Sequence, residues 1–142
     1  MLSITKIFHF ETAHAISGYQ GACRNIHGHS YELHMTVCAQ QDENQYLPGI
    51  GILVDFKIIK QVVTEAIVKP LDHILLLSQA YLDSHPGSEN NENLMIFDAE
   101  PTAENILLYI KRKIAPLLPE HVQLQRIRLY ETKDSYAEWV KD

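Results

Sequence analysis

The sequence predicts an α+β protein with an antiparallel sheet. Apolar residues recur at every second position near both ends of the chain, and every three to four positions in its middle. Strand-like and helix-like patterns therefore fall in separate blocks, in the order β-β-α-α-β-β, where a parallel α/β fold would alternate them. The length agrees: 142 residues suit one domain, taken as residues 1–142, able to bury roughly two thirds of its unfolded surface.

The first strand covers residues 3 to 14, with Ile4, Phe8, Phe10 and His14 on one face and Thr5, His9 and Glu11 on the other. After a glycine-containing loop, SGYQGAC, alternation resumes at His27. His27, His29, Tyr31, Leu33, Met35 and Val37 then share a face, so the first two core-side positions of this second strand are imidazoles. Residues 40 to 51 form a polar, turn-rich loop, and ILVDF reads as a short extended piece. Asp55 is placed to cap a helix running to about Lys69, with Phe56, Ile59, Val63 and Ile67 on its buried stripe and Pro70 ending it. LDHILLL follows, then a long polar insert from about 79 to 99. Thr102 caps the second helix, Glu104 suits its positive end, and Ile106, Leu107, Ile110 and Ile114 form its core stripe before Pro116 and Pro119. Strands at about 122–132 and 136–141 complete the pattern.

Composition narrows the function classes. Apolar residues make up 46% and charged residues 21%, an ordinary globular balance, and the net charge of −6 speaks against a nucleic-acid partner. No apolar run approaches the ~20 residues of a membrane span, and MLSITKIFHFETAH lacks a signal-peptide core. Cytoplasmic residence is the default expectation. Cys23 and Cys38 are too few for a disulfide framework and are expected as thiols.

Chemistry concentrates in CRNIHGHSYELH, residues 23 to 34. A His-x-His pair on a strand sets both rings on one face, and Gly28 between them leaves the other face open to an approaching backbone. His14 has the same core-side parity on the neighbouring strand, so three imidazoles can converge. Three histidines without a fourth protein ligand are the open arrangement of catalytic zinc; the bland alternative is a satisfied core histidine beside two that line a cleft. His9 and His34 have the opposite parity and are excluded as ligands. Cys23 is a base or nucleophile, a fourth ligand that would close the site, or an inert thiol. Cys38, deep in the strand, reads as packing. In Asp72-His73 the carboxylate is able to orient the ring, or both are ordinary loop residues. Glu131 continues the apolar face of Ile127 and Leu129, so it needs a partner. That partner is either a ligand edge with two parallel N–H donors or Arg126 or Arg128 of its own strand.

Six segments in order, FETAH (10–14), CRNIHGHSY (23–31), GILVDF (51–56), PLDH (70–73), PTAEN (101–105) and YET (130–132), resemble the 6-pyruvoyltetrahydropterin synthase / 6-carboxytetrahydropterin synthase family across nearly the whole chain. The resemblance implies a tunnelling fold (T-fold): a four-stranded antiparallel sheet with two helices between its second and third strands. It also implies a homo-oligomer, a hexamer built as a dimer of trimers, with active sites between subunits. His14, His27 and His29 would bind Zn2+. Cys23 would be the catalytic thiol, Asp72 and His73 the acid–base pair, Glu131 the pterin anchor, and Thr102 a further ring contact.

The implied substrate is a pterin triphosphate, 7,8-dihydroneopterin triphosphate. The short gap between Cys23 and His27 and the Asp55-Phe56 pair resemble the bacterial carboxy type. Its products are 6-carboxy-5,6,7,8-tetrahydropterin, acetaldehyde and triphosphate, on the way to queuosine and deazapurines. The pyruvoyl type, which eliminates triphosphate and stops after internal redox tautomerisation, is the alternative. A non-catalytic pterin- or purine-binding module is the next rival, against which the joint presence of Cys23, Asp72 and His73 speaks. A purely structural zinc protein is the third. No motif marks the triphosphate site; Arg24 and Lys57 are the candidates.

Overall fold

Both N-terminal alternations become strands in the computed structural model, which describes residues 1–142. Strand β1 (Ser3–His14) pairs antiparallel with β2 (His27–Cys38) in unbroken register from Ser3↔Cys38 to His14↔His27. One face of this ribbon is the core: Phe10, Tyr31, Leu33, Met35 and Val37 are buried, and Phe10 stacks on Tyr31 with ring centroids 5.5 Å apart. Period-two burial fixes the register, because a slip by one residue would turn this whole set to solvent.

Helix α1 (Phe56–Val63) is capped by Asp55, whose Oδ1 accepts the Lys57 N–H at 2.8 Å. Ile59, Val63 and Ile67 are buried as expected, whereas Phe56 is half exposed, since it sits in the first turn before the helix reaches the sheet. Pro70 does not end the helix. The chain widens into a π-helical segment (Thr64–Val68), in which the Lys69 N–H reaches back to Thr64 O, and then makes a last turn, α2 (Lys69–Leu71). The wider turn makes room at the carbonyl that the proline ring would otherwise strike, and proline has no N–H to lose. The ILVDF stretch forms bends, not a strand.

The sheet has six strands where four were expected, and it is mixed. Residues Ile74–Ser78 form β3, which lies parallel to β1 (Thr12↔Ile74 to His14↔Leu76). Helix α3 (Gln79–Ser84) and a connection lead to β4 (Leu94–Phe97), parallel to β3. The 79–99 insert is therefore the crossover and outer strand of a small β-α-β unit. ILLLS shows no alternation because β3 lies between two strands and is buried along most of its length.

Helix α4 (Ala103–Ile114) follows, with Thr102 Oγ1 accepting the Asn105 N–H at 3.2 Å and all four stripe residues buried. The C-terminal strands β5 (Gln123–Thr132) and β6 (Ser135–Val140) extend the antiparallel side, giving the order β4-β3-β1-β2-β5-β6. Helices α1 and α4 cover the face that carries the imidazoles; β4 and β6 are open edges. No helix is long and apolar enough to cross a membrane.

Candidate metal centre and active site

The imidazole cluster forms where β1 ends and β2 begins. His14 and His27 are direct cross-strand partners and His29 lies one pleat further on. Ring centroids are 4.5 Å (His14–His27), 5.1 Å (His14–His29) and 4.9 Å (His27–His29) apart. One ring nitrogen from each falls within 4.8 Å of the others.

The protonation pattern decides what the cluster can hold. His14 Nδ1 lies 2.6 Å from Pro101 O, and His27 Nδ1 lies 2.7 Å from Asn25 O. Carbonyl oxygens only accept, so both Nδ1 atoms carry the proton and donate. In the neutral rings both Nε2 atoms are then bare lone pairs, yet they face each other at 3.0 Å. A hydrogen bond between them would require a proton that neither neutral ring has left. A cation resolves the conflict, and tetrahedral zinc with Zn–N of about 2.0–2.1 Å brings ligand nitrogens to nearly this separation. His29 Nε2 is buried with no hydrogen-bond partner, a third ring nitrogen of the set left unsatisfied. Burial is the first cause that lowers the pKa of both His14 and His29, and this favours the neutral, ligating form. The donor set fits a dication.

Glu131 joins the same face. The β5–β6 register passes from Tyr130↔Tyr136 to Thr132↔Ser135, so Glu131 is the extra residue of a bulge. Its Oε1 lies 3.4 Å from His29 Nε2, and the carboxylate raises the Tyr31 phenol pKa further, after burial as the main cause. Arg126 and Arg128 both pair with Glu138, with Nε–Oε1 distances of 3.5 and 2.5 Å, and so do not serve as partners for Glu131.

Cys23 sits in a single 3-10 turn (Ala22–Arg24) whose loop is closed by Ile16 N–H donating to Cys23 O at 2.8 Å. Cys23, His14, Glu131 and Thr102 line one cavity of about 360 Å³, within the range of small-molecule sites. Larger hollows of about 630 and 920 Å³ at the 39–53 end of the sheet contain none of the three imidazoles. Cys23 is not in the cluster of potential ligands, and Cys38 is buried in β2. Arg24 and Lys57 are exposed and line no part of the 360 Å³ cavity.

Asp72 and His73 do not join them. Thr12 Oγ1 donates to Leu71 O at 2.8 Å, tying the end of α2 to β1. The next two residues then strap onto Glu11: Asp72 Oδ1 accepts the Glu11 N–H at 2.8 Å, and the His73 N–H donates to Glu11 O at 2.6 Å. His73 borders a separate depression at the edge of the β1–β2 ribbon, lined by Glu11, Ala13, Gly28 and Ser30 of the face opposite the imidazoles and also by His29. The pair is real: His73 Nδ1 lies 2.9 Å from Asp72 Oδ2, and the Glu11 N–H, followed by His73, lowers the Asp72 pKa. His73 has φ 61°, the left-handed region, which costs a non-glycine residue about 1 kcal/mol.

His9 and His34 lie off the cluster as parity required, both beside Glu32 on the opposite face. A Cβ at Gly28 would meet only Thr12 O at 3.8 Å, so no close backbone approach explains that glycine. The carbonyls of Pro101 and Asn25, and Glu100, whose Oε1 accepts the Ser17 N–H at 2.5 Å, complete the site's support. Pro101 and Glu100 carry no local signal, because they reach His14 of β1 and Ser17 just beyond it across more than 80 residues of chain.

Fold and site together define a T-fold protein with a three-histidine cluster, able to hold a metal ion, beside a thiol and a carboxylate. The chain belongs to the 6-pyruvoyl tetrahydropterin synthase family, whose family model matches residues 3–142. It is 32% identical to the 6-carboxy-5,6,7,8-tetrahydropterin synthase of Rickettsia bellii, covering 97% of this chain and 99% of that one. It is 30% identical to the 6-pyruvoyl tetrahydrobiopterin synthase of Pongo abelii, over 81% of this chain and 68% of that one. Among solved structures, the 6-pyruvoyl tetrahydropterin synthase of Caenorhabditis elegans shares the fold with a TM-score of 0.72 at 18% identity, over 99% and 96% of the two chains.

Proposed function

We propose that the chain is a zinc-dependent lyase that converts 7,8-dihydroneopterin triphosphate to 6-carboxy-5,6,7,8-tetrahydropterin, acetaldehyde and triphosphate, in queuosine and deazapurine biosynthesis. The observation that carries it is the pair of Nε2 lone pairs facing each other at 3.0 Å beside a cavity lined by Cys23 and Glu131. The nearly end-to-end match to a carboxy synthase, against a partial match to a pyruvoyl one, supports the carboxy product.

His14, His27 and His29 hold the metal, which supplies a Lewis acid for the hydroxyl-bearing side chain of the substrate. Glu131 accepts two N–H donors of the pterin edge, and Thr102 adds a contact at the mouth of α4. Cys23 takes up a proton at Sγ, and His73 exchanges others while the Asp72 carboxylate stabilises its charged form. Because Asp72 and His73 do not line the cavity of their own chain, the acid–base pair is supplied by a neighbouring copy. The open edge β6 supports this arrangement, since its Ser135, Tyr136 and Ala137 form one rim of the cavity. A homo-oligomer with sites between subunits, in the cytoplasm, is part of the proposal.

Loading the protein with zinc, adding dihydroneopterin triphosphate and following products by mass tests the reading. A carboxypterin with acetaldehyde is expected. A pyruvoyl pterin would reassign the chain to the sister reaction, and unchanged substrate would leave a binding module.

A further inference from the structure

Asn93 closes the 79–93 connection immediately before β4, and it has no part in the chemistry above. Its side chain nevertheless reaches back to the turn that carries His73, with Nδ2 donating to His73 O at 2.9 Å. The main-chain carbonyl of Asn93 accepts the Leu75 N–H at 3.0 Å, so the same residue grips the chain on both sides of Ile74. His73 is the one non-glycine residue with positive φ, 61°, and both of its peptide groups are held: the N–H by Glu11 O at 2.6 Å and the C=O by Asn93.

The imidazole itself is 79% exposed, and its one polar partner is Asp72. Packing therefore does little to aim it. The direction of the ring is set by the backbone beneath it, and a residue released from the left-handed region returns to φ near −60°, where its side chain leaves along a different vector.

We infer that Asn93 is a positioning residue: its amide holds the His73 carbonyl in the left-handed turn, so that the imidazole is presented outward in one direction. This gives the polar insert a function beyond the strand it adds. The inference rests on the reading of His73 as an acid–base group.

The test uses Asn93→Ala and the isosteric Asn93→Asp, which keeps the size but sets a carboxylate against the carbonyl. Each is prepared as the full zinc-loaded chain. Both variants should bind zinc as the wild type does, lose kcat by about 10- to 100-fold, and change KM by less than about twofold. In a His73→Ala background, Asn93→Ala should change the residual rate by less than about twofold, because the amide acts only through the ring it aims. Imidazole NMR provides a readout besides activity: the His73 resonances should shift or broaden in both variants while those of His9 and His121 stay in place.

Unaltered kcat with an unaltered His73 signal would overturn the inference. So would an equal fold loss in the His73→Ala background. Should His73→Ala turn over at the wild-type rate, the acid–base reading of His73 fails; the NMR spectrum then decides on Asn93 alone, perturbed in support and unperturbed against.

Discussion

The two faces of the sheet near the end of β1 carry opposite kinds of chemistry. On the helix-covered face, His14 is buried, the ligand nitrogens converge, and backbone carbonyls fix which nitrogen is free. Toward the other face, His73 is exposed on a left-handed turn, and its ring is paired with Asp72 and with none of those groups. One half of the site is built within a single chain by packing. The other half is built by a turn, and in the proposed function a neighbouring copy uses it. Under the proposed function, metal binding is a property of the subunit, whereas turnover is a property of the assembly.

The largest effect should follow from damage to the first half. His27→Ala leaves two imidazoles, and activity should fall to background together with loss of the metal, read by atomic absorption after dialysis. Cys23→Ala separates the metal from the chemistry. It should retain full zinc while losing about 10²–10⁴-fold in kcat, the worth of a general base. Loss of zinc from that variant would instead make Cys23 a ligand.

The comparison itself is tested by mixing two dead variants. Cys23→Ala and His73→Ala subunits, dissociated and reassembled together in equal amounts, should regain about a quarter of wild-type activity if each site draws on two copies. No recovery would place both groups in one chain.

The smallest effect is on pH. Burial holds His14 and His29 below the ordinary imidazole value of 6.5, against the opposing pull of the Pro101 carbonyl on His14 and of Glu131 on both. Neutral rings ligate, so zinc retention should be flat from neutral pH to 6.5 and decline only below it. The sign for the metal-free fold is the same: the unfolded chain binds protons more readily than the native one, so stability is lost on acidification below 6.5.

Much of this was legible from pattern alone. The parity of Phe8, Phe10 and His14 against His27, His29 and Tyr31 was enough to bring three imidazoles to one face, because β1 and β2 pair without a bulge. The caps at Asp55 and Thr102 were readable because they act within two to three residues. What escaped was nonlocal or aperiodic. ILLLS is a central strand and has no alternation to show, LMIF has four residues, and their parallel pairing depends on a crossover that reads as a polar loop. Pro70 reads as a stop because a π-turn cannot be anticipated from spacing. Parity also says nothing of Asp72 and His73, which lie between elements; only their strap to Glu11 shows where they sit, outside the cavity that Cys23 and Glu131 line.

X-ray absorption on the zinc-loaded protein reaches the central claim most directly. Three nitrogen scatterers and one further light atom at about 2.0–2.1 Å, with no sulfur shell, are predicted. A sulfur at about 2.3 Å would put Cys23 on the metal, close the site and contradict the account.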